Sequence, residues 1–283
     1  MAPTATLTDK DKVHGFWEAE PCGSRYLLQP GSVSHQAGGQ WTAEEFETHS
    51  RIRYALEPHI PGFASFNSAA GKKVLEIGVG MGADYLQWLK AGARATGVDI
   101  SAASIERARM RCELAGYANT DLRVADAENL PFADRTFDLV YSYGVMHHSP
   151  DTPRCIQEAW RVLKPGGQAR IMLYHHPSIT GLLLWLRYGM WSGKTLRQSV
   201  YDYLESPGTK SYTREEVLLL MRGFQNVDAR LVFSPGDLLE HEPSARFQSG
   251  IYRCLWKLYP RWLVRRAASN WKLFMLVTGT KEG

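Results

Sequence analysis

The chain has 283 residues, 44% hydrophobic and 22% charged, which fits one large or two small globular domains and excludes a largely disordered protein. A net charge of +4 is small for this length, so no nucleic-acid partner is expected. Met1 to Lys12 is polar, no run nears the roughly 18 apolar residues of a membrane-spanning helix, and the cysteines Cys22, Cys112, Cys155 and Cys254 form no C-x-x-C pair; the expectation is a cytoplasmic protein with neither a zinc site nor a disulfide scaffold.

Residues 1–70 carry Trp17, Trp41, a glycine-rich stretch at 36–40 and a helix predicted over 42–56, which Pro58 and Pro61 stop. Such an extension cannot bury its aromatics alone, so a lid across the open edge of a core is expected, with Trp17 and Tyr26 as packing residues and candidate substrate contacts. Cys22 reads as a buried thiol beside them.

Residues 71–283 form the expected main domain. Lys72 to Ile77 is a short apolar run suited to a buried strand, and Gly78, Gly80 and Gly82 let the backbone turn sharply before a helix that starts near Ala83. A second strand, Ala95 to Val98, ends in Asp99, a carboxylate placed to accept hydrogen bonds from two ribose hydroxyls. The spacing reads E-x-G-x-G-x-G rather than the G-x-G-x-x-G of a dinucleotide site, and an acid before the first glycine suits a cation better than a diphosphate. None of the 13 tyrosines has a lysine four residues later, so the dyad of a short-chain dehydrogenase is absent.

Downstream come the loop Val124 to Phe132, a fourth strand with its exit from Phe137 to His148, and Arg161-Val162-Leu163-Lys164-Pro165-Gly166-Gly167, a helix-to-strand turn leading into a fifth strand over Gln168 to Tyr174. After Pro177 the alternation loosens as far as Gly208. Thr213 and Glu216 make a capping box for a helix to about Met221, and strands are predicted over Phe224 to Phe233 and Trp271 to Thr278. The intervening Ser234 to Asn270 reads as a substrate cap. Within it, 251–268 sets Trp256, Tyr259 and Trp262 beside Arg253, Lys257, Arg261, Arg265 and Arg266. That segment suits weak contact with a membrane surface, an anionic tail of a substrate, or packing on the core.

Residues 72–174, with these segments in order, resemble the core of the class I S-adenosylmethionine-dependent methyltransferases, in the branch that holds quinone-biosynthesis and other small-molecule enzymes. The resemblance implies an α/β, Rossmann-like, seven-stranded, mostly parallel sheet with helices on both faces, an N-terminal helical lid and cap insertions near 177–208 and 234–270. It implies S-adenosylmethionine as cofactor, the glycine loop and Glu76 against its amino-acid part, Asp99 at the ribose and Asp126 at the adenine. Ile100, Ala127 and Tyr143 join them as cofactor-binding candidates.

The sulfonium carries an activated methyl group, so the protein must align a nucleophile with it and often remove a proton. His147 and His148 leave the fourth strand where the resemblance places the active site, and either imidazole suits that task. His147 is the better candidate to face the methyl group, and His148 the better structural residue. His175 and His176 leave the fifth strand and are candidates to line the same pocket, or to stabilise the turn before Pro177. Histidine pairs in direct succession chelate poorly, so no metal is expected. The Asn/Asp-Pro-Pro-aromatic run of nucleic-acid and protein amino-methylases is absent, and the aromatic lid and cap favour a hydrophobic or amphipathic small molecule, methylated on oxygen. The alternatives are carbon or nitrogen methylation of a small or lipid-like metabolite, or cofactor binding without methyl transfer.

Overall fold

Seven strands form one sheet, in the order β3-β2-β1-β4-β5-β7-β6, in a computed structural model that describes residues 8–19, 41–206, 208–240 and 258–283. Cys22, Tyr26, the stretch 36–40, Cys254 and residues 251–257 of the basic segment lie outside the described residues. The strands are β1 (Lys73–Ile77), β2 (Arg94–Asp99), β3 (Asp121–Val124), β4 (Phe137–Tyr143), β5 (Leu163–Tyr174), β6 (Phe224–Val232) and β7 (Phe274–Lys281). Neighbours among β1 to β5 pair in parallel, while β7 is inserted between β5 and β6 and runs antiparallel to both. This is the Rossmann-like, mostly parallel sheet that the sequence implied.

Eleven described helices accompany the sheet: α1 (Asp9–Ala19), α2 (Ala43–Leu56), α3 (Ile60–Ala64), α4 (Ala83–Lys90), α5 (Ala102–Leu114), α6 (Thr152–Val162), α7 (Ile179–Leu184), α8 (Leu196–Tyr203), α9 (Arg214–Leu220), α10 (Pro235–Leu238) and α11 (Arg261–Ala267). The central strands are apolar on both faces because both are covered. Val74, Leu139 and Tyr141 pack with Trp88 of α4 and Ile105 of α5, whereas Leu75, Ile77 and Val140 pack with Ile156 of α6 and Val217 of α9. Trp41 and Phe46 bury against Met81, which fastens the N-terminal helices to the glycine loop.

Several boundaries differ from expectation for local reasons. Pro61 stops α2 only indirectly, because it occupies the first turn of α3, where a missing amide costs nothing. β5 begins at Leu163, which pairs with Phe137, and Gln168 pairs with Leu139, so the Pro-Gly turn loops out between two rungs instead of preceding the strand. β7 begins three residues later than predicted, since the Leu273 amide is taken by Asp237 and that of Trp271 by the Ala268 carbonyl. In the basic segment, Pro260 interrupts any continuous helix and α11 starts just after it.

The cap is tied together by one acid. Asp237, fully buried on α10, accepts hydrogen bonds from the Thr180 amide (2.9 Å) and hydroxyl (2.8 Å), the Ser234 amide (3.0 Å) and the Leu273 amide (2.7 Å). Among the described residues, no helix is long and apolar enough to cross a membrane.

Candidate active site

A cavity enclosing about 1060 Å³, its open mouth included, lies at the C-terminal ends of β1, β2 and β4, the edge where parallel α/β sheets bind ligands. Its walls include every cofactor candidate except Gly82: Glu76, Gly78, Gly80, Asp99, Ile100, Asp126, Ala127 and Tyr143. Gly82 stands just behind, at φ 72, where a Cβ would come within 2.9 Å of the Ala108 backbone on α5. Gly78, at φ 80, is more constrained still, since a Cβ would lie 2.1 Å from Val145 Cγ2. Only glycine lets the chain leave β1 between β4 and α5 in this way.

The loop in turn fixes the acid on β2. The Gly80 amide donates to Asp99 Oδ2 (2.9 Å) and the Ser101 amide to Oδ1 (3.0 Å), so the carboxylate is held at the cavity wall. Enclosure raises its pKa, and the two amides oppose that rise.

A charged cluster stands at the β1 end. Glu76 is buried, accepts from Trp88 Nε1 (2.9 Å), and has its pKa pushed well up by burial and by neighbouring Asp84. For Asp84 burial acts in the same direction, but Arg53 at 2.7 Å, with the hydroxyls of Tyr54 and Tyr141 (2.9 Å each), holds it below the usual carboxylate range. Arg53 also stands 3.4 Å from Glu57 and 5.2 Å from the centre of the Tyr143 ring. Burial raises the Glu57 pKa to about 7 despite that arginine.

Across the cavity, α1 packs on α5 and reaches the loop after β3. Lys10 pairs with Asp126 (2.7 Å) and with Glu128, which also accepts from the Ser149 hydroxyl, and the Ala103 amide donates to Glu18 at 3.3 Å. Lys10, Val13 and Trp17 therefore form one wall.

Residues 75–171 match the sequence profile of a methyltransferase domain. Demethylmenaquinone methyltransferase of Tropheryma whipplei is 32% identical over 165 residues, spanning 56% of this chain and 68% of that protein. This chain belongs to the methyltransferase family. The 27-O-demethylrifamycin SV methyltransferase of Amycolatopsis mediterranei is 40% identical over 104 residues, 35% of this chain and 37% of that protein. In fold, the methyltransferase resembles Haemonchus contortus phosphoethanolamine N-methyltransferase 2, solved with S-adenosylhomocysteine, at a TM-score of 0.57 and 21% identity over 86% of this chain and 58% of that one.

The cofactor of this methyltransferase is S-adenosylmethionine, and the cavity suits it chemically. Asp84, Asp99, Asp126 and Glu128 give an acidic lining for a cation, Glu76 stands beside them, and among the described lining residues Arg53 supplies the guanidinium beside the glycine loop that can meet a carboxylate. When bound, the cofactor supplies an activated methyl group.

The structure redistributes the histidines of the methyltransferase. His147 is fully buried against Tyr174, ring centres 3.9 Å apart, and does not line the cavity; burial and adjacent His148 hold its pKa well below the usual imidazole value. Both belong to the tight turn Met146–His148, and it is His148 that turns towards the cavity, with Trp17 edge-on at 5.1 Å. His175 and His176 do not line it either. The Nδ1 of His175 is 3.0 Å from the Lys272 carbonyl and its amide bonds Leu273, while the His176 amide bonds Tyr212, so β7 and the chain before α9 use them.

His148 is held from one side only. Its Nδ1 is 2.8 Å from Ser206 Oγ and 3.1 Å from Thr209 Oγ1. Thr209 gives its own proton to the Ser206 carbonyl (2.7 Å), so both hydroxyls and that carbonyl form one small network around Nδ1. Nε2 is buried without a hydrogen-bond partner, 3.3 Å from Glu205 Oε2, and that carboxylate also accepts from the Tyr174 hydroxyl (2.9 Å).

Arg53, Asp84, Lys10 and Glu205 were missed in the sequence. Asp84 has the pattern of an acid complementing a helix N-terminus, Arg53 that of an ordinary α2 surface charge, and Lys10 that of a polar leader; only the tertiary pairing distinguishes them.

Proposed function

We propose that this methyltransferase moves the methyl group of S-adenosylmethionine to a hydroxyl oxygen of a hydrophobic or amphipathic small molecule, with His148 taking the hydroxyl proton. The observation that carries this reading is the buried His148 Nε2 at the cavity, which has no hydrogen-bond partner and lies 3.3 Å from the Glu205 carboxylate. An oxygen nucleophile has a proton to shed, and an imidazole at the cavity can receive it. Asp99 holds the ribose, Asp126 the adenine, and Arg53 with the acids around it the amino-acid end. Trp17, edge-on to His148, and Tyr143 supply aromatic walls of the cavity. An acceptor of this type agrees with relatives whose names specify demethylmenaquinone and demethylrifamycin.

The test is turnover with hydroxylated apolar acceptors, followed by formation of S-adenosylhomocysteine and assignment of the methylated atom by NMR. His148→Gln should lower kcat by about 10²-fold or more while cofactor affinity stays within about twofold. A methyl group found on carbon or nitrogen overturns the oxygen assignment, and cofactor binding without any product overturns transfer itself.

A further inference from the structure

We infer that the cap side of the molecule docks on the surface of an anionic lipid bilayer. Among the described residues, both tryptophans that are more than two thirds exposed stand there, Trp191 at 82% and Trp262 at 71%, with Leu258 at 77% and Leu186, Met190 and Leu263 also exposed; Leu219 on α9, at 71%, is as exposed outside the cap. Trp191 stands on the tight turn Met190–Ser192 that follows α7, and Trp262 and Leu263 on α11. These two places belong to one assembly, because α10 touches both α7 and α11. Asp237 of α10 takes the Thr180 amide and hydroxyl from α7, and its own carbonyl accepts the Tyr259 hydroxyl just before α11 (2.8 Å).

Charge complementarity identifies the occupant. The described part of the basic segment, 258–268, contains Arg261, Arg265 and Arg266 and no acid, although the whole chain is nearly balanced. Arg265 and Arg266 are exposed beside Trp262, and Arg265 is paired to Glu240 at 2.5 Å. Indoles and leucines between arginines are the composition that settles at a lipid headgroup boundary, where the rings enter the interface and the guanidiniums meet phosphates. The apolar groups stand on two short elements with bases among them. That arrangement suits insertion of single side chains into a fluid surface, which requires no shape match, better than a continuous apolar face on a second protein. Docking here is separate from the cavity chemistry, and it would bring the cap to the phase in which an amphipathic acceptor concentrates.

The test is flotation of the full chain with phosphatidylcholine vesicles, with and without about three parts in ten phosphatidylglycerol, at low salt and at about 0.5 M salt. Binding to the anionic vesicles that falls in high salt is expected, with at least a fivefold loss for Trp191→Ala with Trp262→Ala and a comparable loss for Arg265→Glu with Arg266→Glu. All variants should retain the affinity for S-adenosylmethionine and the unfolding midpoint of the unaltered chain, which separates lost docking from lost folding. Failure of the unaltered chain to bind, or equal binding by the variants, overturns the inference and leaves the cavity reading untouched. Concentration-dependent dimerisation abolished by Trp262→Ala, without vesicle binding, also overturns it and gives the surface to a second copy.

Discussion

Two acids hold the two halves of this methyltransferase, and they draw on different distances along the chain. Asp99, on the cofactor side, takes its hydrogen bonds from Ser101 and from Gly80, 2 and 19 residues away. Asp237, in the cap, takes its own from Ser234 nearby but also from Thr180 and Leu273, 57 and 36 residues away. The cofactor side is thus assembled from neighbouring turns of one parallel sheet, and the cap from segments that meet only once the sheet exists. A carboxylate held by local amides can change its ligand while the fold stays. One that unites distant segments is part of the fold.

The sharpest way to break the comparison is to remove each acid. Asp237→Ala leaves the Thr180, Ser234 and Leu273 amides without their acceptor in a buried place, and a loss of about 4 kcal/mol is expected in denaturant unfolding. Hydrogen exchange should rise first in α7, α10 and the start of β7. Equal and simultaneous loosening of β1 to β4 would show that the halves are not separable. Asp99→Ala should act in the opposite sense, weakening S-adenosylmethionine about a hundredfold, ~3 kcal/mol by calorimetric titration, with little change in unfolding midpoint. A large fall in stability without loss of affinity would assign Asp99 to structure.

A finer probe lies behind the glycine loop. Glu57 takes up its proton near pH 7 in the fold, against an ordinary value of 4.5, so across that interval the folded protein holds more protons than the unfolded chain. Stability due to this group therefore falls as pH rises from about 4.5 to about 7, by ~3 kcal/mol at most. Glu57→Gln should flatten that slope and raise Tm at about pH 8 relative to the unaltered protein, with little difference at about pH 5. An unchanged slope would mean that Arg53 neutralises Glu57 more fully than its burial indicates.

The same contrast explains what was legible in the sequence. Glycines at 78, 80 and 82 and Asp99 at the end of the neighbouring strand are local signals, because backbone geometry forces particular residues into particular places, and the structure gathers them at the cofactor side. The Pro-Gly turn is as local a signal, but it lies within β5 rather than before it. The sequence does not separate His147 from His148, because two residues in a tight turn diverge according to what packs on them, and Tyr174 takes one ring while Trp17 faces the other. Arg53 and Asp84, 31 positions apart, leave no periodic or motif signature. Glu205 is equally silent, since its left-handed backbone (φ 56) and its approach to His148 come from the loop after α8, which no pattern marks.

The place of β7 bears on the order in which the protein is made. This strand lies between β5 and β6, and its Lys281 donates to the carbonyls of Trp160 and Leu163 at 2.8 Å, yet it follows the whole cap in the chain. During synthesis β5 waits with one edge bare while more than a hundred further residues leave the ribosome, and the cap must be in hand before the sheet can close. A ribosome stalled before residue 281 should therefore hold an incomplete sheet with a fully translated glycine loop, a nascent chain whose cofactor motifs are finished long before the edge beside them is sealed.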